Sequence, residues 1–342
     1  MFKVYSFLLI GLITTSCFFF YWSEIHAKVF TAVQTVQASI SDISETDTNS
    51  TKCSKFKKLK RILLAVNFNY PHYSAVPLLR EFYEPIFGKI IFCGESYDHS
   101  LGVIQIEENQ GRLGYMCVVT AMKMYPGFIG YIHTNDDVIL NWWQLIKLDF
   151  TKLWFSTPLD MTKAYVFTQP VPTNWWWWSD NDTAGRCKRS FYTLKAMLNA
   201  STHPTIPSQR YLQQYYHNTN NVELCYPRYV DLFYIPQDLV ESFVIFADFF
   251  AREKLYLEVA MPLAFTFFTN ATNHHVMKGV YLPELFNRNN KTYLSGEAFY
   301  RIYTIDLFFV HPFKLSGPMK LSNQNIFSNV VKKYGDVVRK DC

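Results

Sequence analysis

Short apolar runs that alternate with segments of helical spacing restrict the fold of this chain more than any other feature. Ile62, Leu63, Leu64, Ala65 and Val66 form a continuous apolar run, the pattern of a strand covered on both faces. Lys89–Gly94 and Phe128–His133 are two further strand-like runs. Between the first two, Leu78, Leu79, Phe82, Tyr83 and Ile86 follow helical spacing, with Ser74 placed to cap the helix and Pro85 to stop it. Between the second and third, Tyr115, Val118, Val119 and Met122 recur at i, i+3, i+4 and i+7, ending at Pro126 and Gly127. A strand, helix, strand unit requires a parallel sheet with a right-handed crossover. Further strands are expected at Val230–Ile235, Leu255–Ala260 and Ile305–Val310, and a helix at Leu239–Glu253. The predicted fold class is α/β, a mostly parallel sheet flanked by helices, with no repeat at a fixed period.

Composition supports a packed sheet. Hydrophobic residues make up 49% of the 342 positions and charged residues 18%, too little charge for a disordered chain. Thirteen glycines argue against collagen-like and glycine-loop architectures. The net charge of +5 is not gathered into a basic face, so nucleic acid is not an expected partner. The run Lys55, Lys57, Lys58, Lys60 and Arg61 reads as a solvated edge.

The amino end carries its own message. Residues 4–22, VYSFLLIGLITTSCFFFYW, are 19 positions without charge, long enough to span a bilayer as a helix. A signal peptide has a shorter apolar core of about 7 to 15 residues. Residues 1–3 are therefore expected as a cytoplasmic tail, 4–22 as an uncleaved transmembrane signal anchor, 23–59 as a polar stem and 60–342 as a luminal domain. Five N-glycosylation sequons fall in that luminal part, at Asn49, Asn181, Asn199, Asn270 and Asn290. Outside the anchor, Cys53, Cys93, Cys117, Cys187, Cys225 and Cys342 are an even set suited to an oxidising lumen, in any of about 15 pairings. No C-x-x-C spacing suggests zinc or thioredoxin-like chemistry.

Chemistry concentrates in Tyr131–Trp143, YIHTNDDVILNWW. Ligands of an open α/β sheet bind beyond the carboxyl ends of its strands, where Asn135, Asp136 and Asp137 are placed. Two adjacent carboxylates repel, and a divalent cation offsets that cost; oxygen ligands suit Mn2+ or Mg2+, which complete their shells with substrate phosphates.

An apolar strand ending in this acidic triplet, behind an anchor and stem, resembles the GT-A class of nucleotide-sugar glycosyltransferases. The resemblance implies a GT-A-like fold over roughly residues 60–315 and a metal bridging the donor diphosphate. It implies that Asp137 ligates the metal, that Asp136 contacts metal or donor, and that Asn135, standing where the class has an acid, lies on the donor side. A histidine late in such domains is often a third ligand, which points to His311. Lys314 would balance diphosphate charge as the leaving group departs.

For the acceptor proton a carboxylate is needed if transfer inverts, whereas a front-face ion pair serves retention; the residues leave both open. Glu258 and then Asp231 are the candidate bases, since each interrupts an apolar run and a buried acid needs a partner. Asn69, past the first strand, is a donor-binding candidate. Trp142, Trp143 and Trp176 are acceptor candidates, because aromatic faces stack on sugar rings. No G-x-G-x-x-G, P-loop, H-E-x-x-H or G-x-S-x-G motif occurs. The expected function is metal-dependent sugar transfer from a nucleoside-diphosphate sugar to a glycan or glycoprotein in the Golgi lumen. The alternative is a non-catalytic luminal protein that binds glycan or nucleotide on a degenerate form of the fold.

Overall fold

The structure, a computed structural model, describes residues 56–157, 163–200, 208–270, 273–281, 296–317 and 320–340. The expected anchor, most of the stem, Cys53, Cys342, Asn49 and Asn290 lie outside these residues. Among the described residues no helix is long and apolar enough to cross a membrane.

The first half follows the alternation of the sequence: β1 (Ile62–Phe68), α1 (Val76–Tyr83), β2 (Lys89–Gly94), β3 (Val103–Gln105), α2 (Met116–Met124) and β4 (Gly130–Asn135). Helix α1 is capped by Ala75, not Ser74, and has a proline in its first turn, where the missing N–H is not needed. Short elements follow: β5 (Ile139–Leu140), α3 (Trp142–Leu145), β6 (Trp154–Phe155) and β7 (Tyr165–Val166). Then come α4 (Thr183–Asn199), α5 (Ser208–Asn218), β8 (Leu224–Cys225), β9 (Leu232–Pro236), α6 (Val240–Arg252) and α7 (Leu257–Phe268). The chain closes with β10 (His275–Val276), β11 (Gly279–Tyr281), α8 (Gly296–Ile302), β12 (Phe309–His311), α9 (Lys320–Ile326), a π-helical turn at Phe327–Lys332 and α10 (Lys333–Lys340).

Seven strands form the central sheet in the order β10-β6-β9-β4-β1-β2-β3. β1 runs parallel to β2 and β4, β2 to β3, and β6 to β10, so the sheet is mostly parallel, as expected. β9 alone is reversed, antiparallel to both β4 and β6. This reversal brings the start of β9 beside the carboxyl end of β4. A smaller sheet, β11-β12-β5, pairs β12 antiparallel to β5.

Both faces of the central sheet are covered, which explains the continuous apolar run of β1. Leu63 and Ala65 pack with Val118 and Val119 of α2, Phe243 of α6 and Phe265 of α7. Ile62, Leu64, Val66 and Phe68 pack on the other face with Leu79 and Phe82 of α1 and Phe327 of the π-helical turn. Aromatic rings fill much of this volume: Trp154 stacks on Tyr234 at 3.9 Å. The Tyr234 ring crosses Gly130, where any Cβ would collide with it.

Four expectations are corrected. Leu255–Ala260 is not a strand; Leu257 and Glu258 open α7. Every residue of α7 except Glu258 is buried, so no polar face marks a helical period, and a short window of it reads as a strand. Pro262 inside α7 cannot donate to the Glu258 carbonyl, which instead accepts the Arg228 N–H at 2.9 Å. The last strand is Phe309–His311, within the smaller sheet, rather than Ile305–Val310. The strand of the triplet spans Gly130–Asn135, so Asn135 still belongs to it. Trp142 and Trp143 are buried in the core beside Phe56 and Tyr334, which removes the sugar-stacking role expected of them.

Two disulfides tie helices to strands: Cys93 of β2 to Cys117 of α2, and Cys187 of α4 to Cys225 of β8. Each closes a loop in the unfolded chain and lowers its entropy. Replacing Cys187 and Cys225 by Ser should destabilise the domain by about 2–4 kcal/mol, seen as a lower denaturant midpoint. An unchanged midpoint, or peptide mapping without a Cys187–Cys225 linkage, would contradict this pairing.

Candidate functional site

The acidic triplet sits where three elements meet. The Asp136 N–H continues the β1–β4 ladder by bonding the Asn67 carbonyl at 2.8 Å. On the other side the Asn135 N–H bonds the Asp231 carbonyl at 3.0 Å, and the Asn135 Nδ2 donates to Asp231 Oδ1 at 2.8 Å. Asp231 reaches this place because β9 runs backwards: its first residues lie against the last residues of β4.

β5 follows the triplet directly, and β12 pairs antiparallel to it, so the end of β12 comes back to Asp137. The Phe313 N–H bonds the Asp137 carbonyl at 2.6 Å. His311 Nε2 then stands 3.4 Å from Asp137 Oδ1 and 3.4 Å from Asp231 Oδ1, and the Lys314 ammonium pairs with Asp137 Oδ2. Sequence separation thus hides a single cluster of Asp136, Asp137, Asp231, His311 and Lys314. Glu258 belongs to it too, at the opening of α7, close enough for the charges of Asp231, Arg112 and His311 to act on it.

Electrostatics divides the acids into two kinds. Burial pushes Asp136 up to about 7, with Lys314 opposing and Asp137 adding to the rise. Burial acts on Asp137 as well, yet Lys314 and then His311 hold its carboxyl well below the usual range. Burial works against a charged His311, but Asp231 and Asp137 outweigh it and raise the imidazole. Glu258 is pushed up to about 8 by burial and then by the Asp231 charge. His133, one turn of the pleat earlier, is a packing residue: it stacks on Phe233 at 4.7 Å, and burial pushes it down to about 3.

The site also holds acceptor oxygens with nothing to accept. Asn67 Oδ1 and Asn135 Oδ1 are buried without a hydrogen-bond partner, an uncommon condition for buried polar atoms, and Asp137 Oδ1 has only the His311 imidazole, 3.4 Å away. A cation suits such oxygens in type, and Asp136, Asp137 and His311 are the hard oxygen and imidazole donors that Mn2+ or Mg2+ takes. Among the described residues no three such groups converge around one point as they stand; Lys314 supplies the positive charge against Asp137 instead.

Asn69 accepts the Asn67 Nδ2 at 2.9 Å, and its backbone N–H supports Asp136. Trp176 has no described side chain, as is also true of Asn181. Asn199 is exposed at the end of α4, and Asn270 is half-buried. Sequence reasoning missed Tyr229 and Tyr281. Tyr229 is 41% exposed, two residues before Asp231, and stacks on Tyr281 at 5.1 Å. Tyr281 in turn lies edge-on to His311 at 5.2 Å and bonds Ser156 Oγ at 2.7 Å. Ser156 and Thr157 hydroxyls both donate to the Tyr229 carbonyl, fixing the platform. Asn67 was missed as well; a polar residue inside ILLAVNF was the available signal for it.

Residues 22–174 match the STELLO glycosyltransferases, a span that contains the triplet but not Asp231, Glu258, His311 or Lys314. Two proteins of Arabidopsis thaliana are similar to the chain: probable glycosyltransferase STELLO1, 22% identical over 278 residues, and probable glycosyltransferase STELLO2, 23% identical over 219 residues. These alignments take in 80% and 62% of this chain but 33% and 24% of those proteins, so the chain spans a third or less of their length. No solved structure matches. The resemblance to glycosyltransferases drawn from the triplet and its strand is borne out as a similarity to this group of proteins.

Proposed function

We propose that the chain transfers a sugar from a nucleoside-diphosphate sugar to a glycan or glycoprotein acceptor. The observation that carries this reading is the cluster at the ends of β4 and β12, where Asp136, Asp137, Asp231 and Glu258 outnumber His311, Lys314 and Arg112. Such an excess of acid calls for a cation, and a cation held there calls for an anionic ligand. Asp136, Asp137 and His311 would hold Mn2+ or Mg2+, which would supply positive charge to the donor diphosphate.

The chain's own residues suit the remaining steps. Lys314 would offset the negative charge that builds as the bond from the anomeric carbon to the diphosphate breaks. Glu258 takes the proton of the acceptor hydroxyl while that oxygen forms its bond to the anomeric carbon, and the electron pair of the broken bond leaves with the diphosphate. Asp231 acts on Glu258 as a positioning residue, its charge making the carboxylate a stronger base. The exposed face of Tyr229, next in line from Asp231, offers the apolar side of an acceptor sugar ring a surface to stack on.

A luminal setting, in the Golgi and behind a single span at residues 4–22, is part of the same proposal. Two disulfides favour an oxidising compartment, and the exposed Asn199 is open to glycosylation.

A donor and acceptor screen on the full chain with Mn2+ tests the reading. Asp137→Ala should lower kcat by on the order of 10²–10³; undiminished transfer would contradict the role of Asp137. Glu258 must be ionised to accept a proton, so its raised value predicts a rate that falls as pH drops below about 8. Asp231→Asn should move this acidic limb to lower pH, and an unmoved limb would rule out Glu258 as the base. Tyr229→Ala should raise the acceptor KM by about tenfold while donor hydrolysis in the absence of acceptor is unchanged; an unchanged KM would place the acceptor elsewhere.

A further inference from the structure

Lys314 lies on the loop that leaves β12 and turns back into α9. Phe313 and Leu315, on either side of it, are buried in the same core, so the side chain between them points out of that core and onto Asp137. Ahead of Lys314 the backbone is fixed by the triplet itself, through the Phe313 N–H on the Asp137 carbonyl. Behind it the backbone is fixed by α9. Asn323 Nδ2 donates to the Lys314 carbonyl at 2.8 Å, and Gln324 Nε2 donates to the Leu315 carbonyl at 2.8 Å. Gly317, at φ +81°, takes the left-handed conformation that lets α9 return along this stretch.

Asn323 is fully buried, and its Oδ1 has no hydrogen-bond partner. An idle buried oxygen costs free energy, so packing alone would favour an apolar side chain at this place. What an asparagine adds is the N–H that it donates to the Lys314 carbonyl. Helix α9 is anchored in its turn. Ile326 is buried, Phe327 just after it meets Phe82 of α1 edge-on at 5.0 Å, and Lys332 pairs with Glu81 of α1 at 3.1 Å. The two carboxamides therefore tie the Lys314 loop to a packed layer of helices on the sheet.

We propose that Asn323, assisted by Gln324, is a positioning residue that holds the Lys314 backbone so that the ammonium stays at Asp137, where it meets the leaving diphosphate. The part played by the diphosphate rests on the sugar-transfer reading above; the hold on Lys314 does not. With the α9 anchor removed, the loop keeps only its attachment at Phe313, and the ammonium is free to swing away from Asp137 into water.

Acetylation of the full chain with acetic anhydride, followed by mass spectrometry of the Lys314 peptide, reads this hold directly. Asn323→Ala should raise the Lys314 rate about fivefold, as the loss of one buried hydrogen bond implies. Lys195, paired with Glu223 at 2.6 Å, should keep its rate. An equal rise at Lys195 would mean general loosening and would overturn the proposal. Gln324→Ala, at a half-buried position, should shift Lys314 in the same direction, so the test survives an Asn323→Ala chain that does not fold; an unmoved Lys314 rate overturns the proposal. In sugar transfer, Asn323→Ala should lower kcat on the order of tenfold with the acceptor KM unchanged, and should add nothing in a Lys314→Ala background. Additive losses would show that Asn323 does not act through Lys314. If the unsubstituted chain transfers no sugar, the sugar-transfer reading fails, while the acetylation rates still decide whether Asn323 positions Lys314.

Discussion

Acids crowded at the carboxyl ends of β1 and β4 beside fewer cations are the constraint to which the rest of the site answers. Asp136 and Asp137 are adjacent in sequence and buried together, and Asp231 and Glu258 are brought to the same place. Like charges in a low-dielectric setting do not all stay ionised without a counter-charge. Within the chain the response is visible: Asp137 keeps its charge by pairing with Lys314 and His311, while Asp136 and Glu258 are driven upward. In the proposed function the same imbalance makes the site receptive to a cation and, through it, to phosphate.

Topology creates that imbalance. A sheet of parallel strands alone would bring only strand ends and their following loops to the site. The reversed β9 instead delivers the start of a strand, Asp231, to the end of β4. The antiparallel pairing of β12 with β5 returns His311 and Lys314 to Asp137. Pro262 contributes from inside α7: by leaving the Glu258 carbonyl without its helical donor, it opens that carbonyl to Arg228 and ties Glu258 to the segment carrying Tyr229 and Asp231.

What the sequence disclosed follows from where information is local. The periods of β1, α1, β2, α2 and β4 are set by burial of neighbouring residues, and they were legible with only small shifts of boundary. The triplet was legible because a strand end next to paired acids carries its own chemical signature. His311 and Lys314 were found from a resemblance, and the structure places them on Asp137. The direction of β9 is a property of pairing, absent from the periodicity of Leu232–Pro236, so the reason for Asp231 being at the site was hidden. Helix α7 was misread because it is buried on all sides and has no polar face. Trp142 and Trp143 were misread because an aromatic pair near a site looks the same in sequence whether it stacks on a sugar or on the core. Tyr229 has no local signature; only the neighbours supplied by distant elements give it meaning.

Mn2+ binding, followed through the electron paramagnetic resonance of the free ion, tests the central claim most directly. The full chain should bind the ion, more tightly when a nucleoside diphosphate is present, and the double substitution Asp136→Asn with Asp137→Asn should abolish binding. If the doubly substituted chain takes up Mn2+ as well as the original does, or the original takes up none even with nucleotide, the buried acids are not a cation site and the account built on them is wrong.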